Sequence, residues 1–318
     1  MAQRSEGEPK RSRRIGRRVR AVIVIAAAAV AVALALRAVR ARARRPSFPE
    51  RTGVGRDGME YLVVGDGPKT ALIIQGGPGS ELPTGPSKRL ALARCAPYIE
   101  EGYTVWNVSR RRNMPVGHTI ADMADDYAAF ISDELPNGVD LVIGVSLGGM
   151  IAQHLAARHP GSVRRVALAP AAGALRPGSV EFDRRWAAAR ADGRFDDAGA
   201  IFLELVMPGP ERAELRQGLG PLAGRMFAKS PVPKGDLLVE AEAEAGFDAR
   251  AVLPSIQAPV LIVCGDQDEF FPPEIVEETA ELIPDCTVVV YEGQRHLGAG
   301  MSPRVPRDVI AWLKEHPV

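Results

Sequence analysis

The chain has 318 residues, 46% of them hydrophobic and 25% charged, a composition of globular protein in one large or two ordinary domains. Its net charge of +1 hides a division: residues 1–52 carry 14 Lys and Arg against three acids, a balance of +11, and the remaining 266 carry 26 against 36, a balance of −10. An acidic folded part excludes a nucleic-acid binder, which needs cations on its folded face to displace counterions from phosphates.

The basic arm encloses an unbroken apolar stretch from Ala21 to Leu36. Sixteen residues reach about 24 Å at helical rise, against ~30 Å of bilayer hydrocarbon. With Arg37 snorkelling, the stretch extends over 21–39 and predicts a membrane anchor. A cleaved signal peptide is the alternative, because Ala33-Leu34-Ala35 and Ala41-Arg42-Ala43 offer small-residue triplets. The arginines at 37, 40, 42, 44 and 45 follow the apolar run where a cleavage region is short and uncharged, which favours the anchor. Eight Lys and Arg precede the stretch and five follow it directly. That bias puts the N-terminus inside and the folded domain, 53–318, on the extracytoplasmic side. Residues 45–51, with Pro46 and Pro49, read as a linker. Three cysteines, Cys95, Cys264 and Cys286, cannot all pair within one chain and read as free thiols.

From residue 59 onward short apolar runs alternate with helical patterns, the signature of an α/β fold with a mostly parallel sheet flanked by helices. Strands are expected at 60–64, 71–75, 104–108, 141–145, 165–168, 260–264 and 287–291. Helices are expected at 120–131 with Thr119 as N-cap, at 147–158, at 274–282 after two prolines, and at 306–315 with its proline at a first helical position. Residues 173–252 break the rhythm with charged, helix-like segments punctuated by prolines at 208, 210, 221, 231 and 233. They read as a helical insertion, in which Glu240-Ala241-Glu242-Ala243-Glu244 is a solvated helix face.

The sharpest signal is Gly144-Val145-Ser146-Leu147-Gly148-Gly149, which closes one expected strand and opens the next helix. A serine on so tight a turn needs small residues two before and two after it, and Gly144 and Gly148 stand there. The helix N-terminus leaves the Leu147 N–H free to stabilise an oxyanion. A serine nucleophile requires a histidine base and an acid to orient it. Of five histidines, His154 and His159 belong to the helix after Ser146, His316 is near the C-terminus and His118 lies in a glycine-containing loop. His296 remains, in Gly293-Gln294-Arg295-His296 after the last expected strand, where sheet enzymes place functional groups. The acid lies in Asp266-Gln267-Asp268-Glu269, with Asp268 favoured by its position after the strand, Asp266 as a turn residue and Glu269 least suited. Gln75-Gly76-Gly77-Pro78-Gly79 follows another strand and offers a second oxyanion donor, the Gly77 N–H. No Lys-Ser/Thr follows these glycines, so they do not make a nucleotide loop.

These four elements, in the order Ser146, Asp268, His296, make the chain from about residue 59 resemble the α/β-hydrolase fold superfamily, with a helical cap inserted after the sixth expected strand. The 75–79 loop is similar to the His-Gly-Gly-Pro-Gly loop of prolyl-iminopeptidase-like members. The stretch 144–153 is more similar to the elbow of esterase and enol-lactonase-like members. Gln75 stands where the aminopeptidases carry histidine, and Leu147 where they carry tryptophan, which points away from peptidase chemistry. The resemblance implies Ser146 as nucleophile, Asp268 as acid, His296 as base, and Gly77 and Leu147 as the oxyanion hole, without cofactor or metal. The expected reaction is cleavage of a small ester, lactone or related acyl substrate through an acyl-enzyme, in a pocket between sheet and cap. Three rivals stay open: an aminopeptidase gripping a free amino group with Glu204, Glu240, Glu242 or Glu244, a cofactor-independent perhydrolase, and a binding module with an idle triad.

Overall fold

The computed structural model describes residues 48–317. Among them eight strands form one sheet: β1 (Glu50–Val54), β2 (Glu60–Val64), β3 (Lys69–Ile74), β4 (Tyr103–Val108), β5 (Leu141–Gly144), β6 (Val166–Leu168), β7 (Val260–Gly265) and β8 (Cys286–Tyr291). Their order across the sheet is β1-β2-β4-β3-β5-β6-β7-β8. The β1/β2 and β2/β4 pairs are antiparallel, and every other pair is parallel. The helices between strands are α1 (Gly85–Glu100), α2 (Ile120–Glu134) and α3 (Leu147–Arg158), and after β7 come α8 (Pro273–Leu282), α9 (His296–Gly300) and α10 (Val305–Glu315).

Helices cover both faces of the parallel strands, so the central ones are apolar without interruption: β5, β6 and β7 are buried along their whole length. Alternate residues serve opposite layers. Leu72, Val142, Val166 and Ile262 pack with Tyr127 of α2 and Leu155 of α3, while Ala71, Leu141, Ala167 and Leu261 pack with Tyr98 of α1 and Trp312 of α10. At the start of α2, Thr119 Oγ1 accepts the Asp122 N–H at 3.1 Å and Asp122 Oδ2 accepts the Thr119 N–H at 2.8 Å, a reciprocal cap.

The connection from β3 leads to β4 on one side, and the connection from β4 returns past β3 to β5 on the other. This reversal opens a crevice at the carboxyl ends of β3 and β5. Ile74 pairs with Gly144 at the last register position, so the loops beginning at Gln75 and Val145 leave the sheet side by side. Between β6 and β7 run four helices, α4 (Val180–Ala191), α5 (Phe195–Phe202), α6 (Ala213–Gly224) and α7 (Lys234–Ala245), with no strand among them. A bridge from Ala174 to Asp248, and an Ala249 N–H donated to Gly173 C=O at 2.7 Å, tie the two ends of this excursion together.

Three expectations are corrected. Glu50 and Arg51, read as the end of a linker, are the first residues of β1, and α1 falls where no helix is expected. The expectation of a membrane anchor with an extracytoplasmic domain is also overturned. Among the described residues no helix is long and apolar enough to cross a membrane, and the segment 21–39 lies outside them. The physical shortfall is visible in the sequence: half of the sixteen apolar residues are alanine, and at about 24 Å they fall short of ~30 Å of hydrocarbon, with arginines crowding both ends.

Candidate active site

Ser146 stands between β5 and α3 with φ 53° and ψ −120°. Among the described residues only Asp57, Asn113 and Ser146 are non-glycines at positive φ. Asp and Asn visit that region readily, whereas a serine there is strained by roughly 1–3 kcal/mol and must be held by its surroundings. The holding bonds are local: Val145 N–H donates to Ile74 C=O at 3.0 Å, Gly148 N–H to Val145 C=O at 2.8 Å and Gly149 N–H to Ser146 C=O at 2.7 Å. Gly144 and Gly148 let the turn close, since a Cβ on Gly144 would lie 2.6 Å from Gly148 O and one on Gly148 would lie 2.1 Å from Ile74 O.

The hydroxyl of Ser146 donates to His296 Nε2 at 3.0 Å, and His296 Nδ1–H donates to Asp268 Oδ2 at 2.9 Å. His296 begins α9, where the rings of Phe270 and Phe271 lie 4.7 and 5.7 Å from it and its N–H donates to Glu269 Oε2 at 3.2 Å. Asp268 is 1% exposed. Its second oxygen, Oδ1, accepts the Phe270 and Phe271 N–H groups at 2.8 and 3.0 Å, which orients the carboxylate. Asp266 is exposed, and Glu269 pairs with Arg295 at 2.9 Å, so of the three carboxylates in this loop Asp268 alone reaches the imidazole. The other histidines are occupied elsewhere: His118 with Asp126, His159 with Asp125, His316 with Trp312 C=O, and His154 against Phe247.

Gly77 follows β3 with φ 67°. The N–H groups of Gly77 and Leu147 take part in none of the turn and loop backbone hydrogen bonds among the described residues. Gly76 carries the loop against the elbow, where a Cβ would lie 2.9 Å from Ser146 Cβ. A cavity of about 510 Å³ adjoins the site, lined by Phe182, Leu205 and Arg216 from the excursion and by Glu269, Phe270 and Arg295 from the loops around His296. Of the apolar residues of the excursion, Leu205 lines this cavity, Phe202 packs on Trp186 and Phe227, and Val206 and Met226 are exposed. The three cysteines are free, and burial pushes Cys95 and Cys264 up to about 11 and Cys286 to about 12, so none is a thiolate nucleophile near neutral pH.

The acidic run on α7 is not a solvated face. Glu240 and Glu244, one turn apart, are buried at 0% and 3% exposure, while Glu242 points outward and pairs with Arg184 at 2.8 Å. Glu240 pairs with Arg110 at 2.7 Å, and Glu204 with Arg185 at 2.6 Å. Glu244 is hydrogen-bonded instead to Asp183 of α4, and burial raises both carboxyls above the ordinary range, so the two hold a proton between them. The consequence for stability has a definite sign. Above the ordinary carboxylate pKa the unfolded chain releases this proton and the folded pair keeps it, so stability falls as pH rises, by about 1.4 kcal/mol per pH unit per retained proton, until the folded pair titrates. Thermal denaturation from about pH 5 to pH 8 should therefore show a declining Tm that Glu244→Gln flattens; an unchanged slope in the variant would contradict the shared proton.

A serine, an imidazole and a buried carboxylate in relay at a sheet switch point are the working parts of a serine hydrolase of the α/β type, and the protein is an enzyme of that class. The chain belongs to the alpha/beta hydrolase fold family, whose model matches residues 72–299. It is 37% identical over 210 residues, 61% of this chain and 75% of the relative, to the pimeloyl-acyl-carrier-protein methyl ester esterase of Chromobacterium violaceum. An esterase from Exiguobacterium antarcticum superposes with a TM-score of 0.62 at 21% identity, covering 84% of this chain and all of that one. The enol-lactonase of Burkholderia xenovorans superposes at 0.59 with 20% identity over the same share of this chain. At those identities the two structures speak for the fold alone.

The polar frame around the 75–79 loop escaped sequence reasoning. Arg110 is 0% exposed, yet in sequence it is one of three consecutive arginines and carries the pattern of a solvated surface.

Proposed function

We propose that the protein hydrolyses a small carboxylic ester or related acyl substrate by the acyl-enzyme route. The observation that carries this reading is the relay from Ser146 through His296 to Asp268, with contacts of 3.0 and 2.9 Å at a strained, positive-φ turn. His296 Nε2 takes the hydroxyl proton as Ser146 Oγ attacks the acyl carbon. The Gly77 and Leu147 N–H groups receive the oxyanion, and His296 returns the proton to the departing alkoxide. Water then attacks the acyl-enzyme by the same route in reverse, and the Asp268 carboxylate stabilises the imidazolium formed at each stage.

Ester chemistry is favoured over an aminopeptidase because three of the four carboxylates that could grip an ammonium, Glu204, Glu240 and Glu242, are already matched to arginines. The Chromobacterium violaceum relative, named for a methyl ester, makes acyl methyl esters the first natural-type substrates to try. The test is fluorophosphonate labelling of the full-length chain and of Ser146→Ala, alongside turnover of p-nitrophenyl esters and of proline p-nitroanilide. Labelling that vanishes in the variant, with turnover of esters alone, is expected. Turnover of the anilide would move the assignment to an aminopeptidase, and a folded chain that neither labels nor turns over would make it a binding module.

A further inference from the structure

The loop that carries the Gly77 N–H is held by two buried guanidinium groups. Arg110, two residues past β4, donates from Nη1 to Gln75 C=O at 2.7 Å and from Nη2 to Gly77 C=O at 2.6 Å. Its Nε donates to Glu240 Oε1 at 2.7 Å, and the other oxygen of Glu240 accepts the Gly79 N–H. The backbone N–H of Arg110 donates to Ser80 Oγ at 2.8 Å. Further along the loop, Arg190 of α4 donates to Pro78 C=O and to Glu81, with its guanidinium 4.9 Å from the centre of the Trp186 ring.

Arg110 and Glu240 are both 0% exposed. Burying an ion pair is costly in desolvation, and well-packed apolar replacements commonly match or exceed it in stability, so stability alone does not account for the pair. Its geometry has another consequence. The Gly77 N–H belongs to the Gly76–Gly77 peptide unit, and glycine on both sides leaves that plane free to turn. Arg110 holds the carbonyl before this unit and the carbonyl after it, while Glu240 holds the N–H of Gly79. These fixed points on both sides narrow the orientations open to the plane between them. Because Glu240 is carried by α7, that orientation is tied to the helical excursion.

We infer that Arg110 and Glu240 are positioning residues: they lock the Gly77 N–H toward the oxyanion formed at Ser146 and make its orientation depend on docking of α7. This rests on the reading of Gly77 as an oxyanion donor. The informative variant is the double replacement Arg110→Met with Glu240→Leu, which removes both charges together and leaves neither buried alone. On a p-nitrophenyl ester, kcat should fall about 100-fold, in line with loss of one oxyanion donor, with KM within about twofold of wild type because ground-state contacts are intact. The corresponding thionoester, whose sulfur depends less on those donors, should lose much less, so the oxo-to-thiono rate ratio should drop.

A folded double variant with unchanged kcat, or one in which KM rises and kcat does not fall, would overturn the inference. If the double variant fails to fold, Glu240→Gln decides: it keeps an acceptor at the same volume and should retain the fold with about a tenfold lower kcat and a lower oxo-to-thiono ratio, whereas wild-type values would refute the positioning role. Failure of the function reading is distinguishable, since it would appear as a wild-type chain that neither labels with fluorophosphonate nor turns over any ester.

Discussion

Replacing Ser146 by alanine is expected to lower kcat on a responsive ester by about 10⁶-fold, and His296→Ala by a similar factor, with thermal stability close to wild type in both. The effects should not add. Once the nucleophile is gone the base has no proton to take, so the double variant should be no slower than either single one. Asp268→Asn is expected to cost about 10⁴-fold, because an amide in place of Oδ2 no longer selects the tautomer whose Nδ1–H faces the carboxylate and whose Nε2 faces Ser146. Steady-state rates of the three variants, with circular dichroism to confirm the fold, decide the matter. A Ser146→Ala protein with a tenth or more of wild-type activity would remove the nucleophile assignment. An Asp268→Asn protein at wild-type rate would return the choice to Asp266 and Glu269.

The residues of that relay were legible because each is announced by its neighbours in the chain. Gly144, Gly148 and an apolar run before them describe the elbow without tertiary information, and His296 and Asp268 stand just beyond strands whose unbroken apolar residues are equally plain. Choosing among Asp266, Asp268 and Glu269 was harder, since three carboxylates within four positions share one local context. What separates them is direction: the N–H groups of Phe270 and Phe271 hold Asp268 inward, and Arg295 draws Glu269 aside.

Other features had no local signature. β1 has the sequence ERTGV, exposed along most of its length, so it lacks the alternation that marks a half-buried strand. Its place comes from hydrogen bonds to β2. In α1 the apolar residues are interspersed with Lys88, Arg89 and Arg94, and Pro97 lies inside it, so neither periodicity nor propensity declares the helix. Arg110 and Glu240 are 130 positions apart, and each alone obeys the rule that charged residues lie outside. Only their meeting under the excursion makes burial tolerable. Fold and relay were thus readable from local pattern, and the polar frame that orients the 75–79 loop was not, because it is made wholly of distant contacts.

Gly148→Ala is expected to destabilise the protein by about 3 kcal/mol or more, a severe cost for one methyl group. The added Cβ would lie 2.1 Å from Ile74 O, 2.6 Å from Ile74 C and 2.7 Å from Gln75 O. All three atoms are backbone, and Ile74 is locked in register against Gly144, so no side-chain rotation can relieve the clash. Either α3 withdraws from β3 or the start of the 75–79 loop is pushed away, and both movements separate Ser146 from Gly77. The variant should therefore lose about 6 to 12 °C in Tm, and the molecules that remain folded at low temperature should react more slowly with fluorophosphonate. Gly235→Ala provides the control: it lies in the first turn of α7 with nothing within 4 Å of its would-be Cβ, and alanine there should be neutral or stabilising by up to about 1 kcal/mol. Equal Tm values for the two variants would mean that the elbow is looser than its geometry states, and that the positive φ of Ser146 is not held by the close approach of α3 to β3.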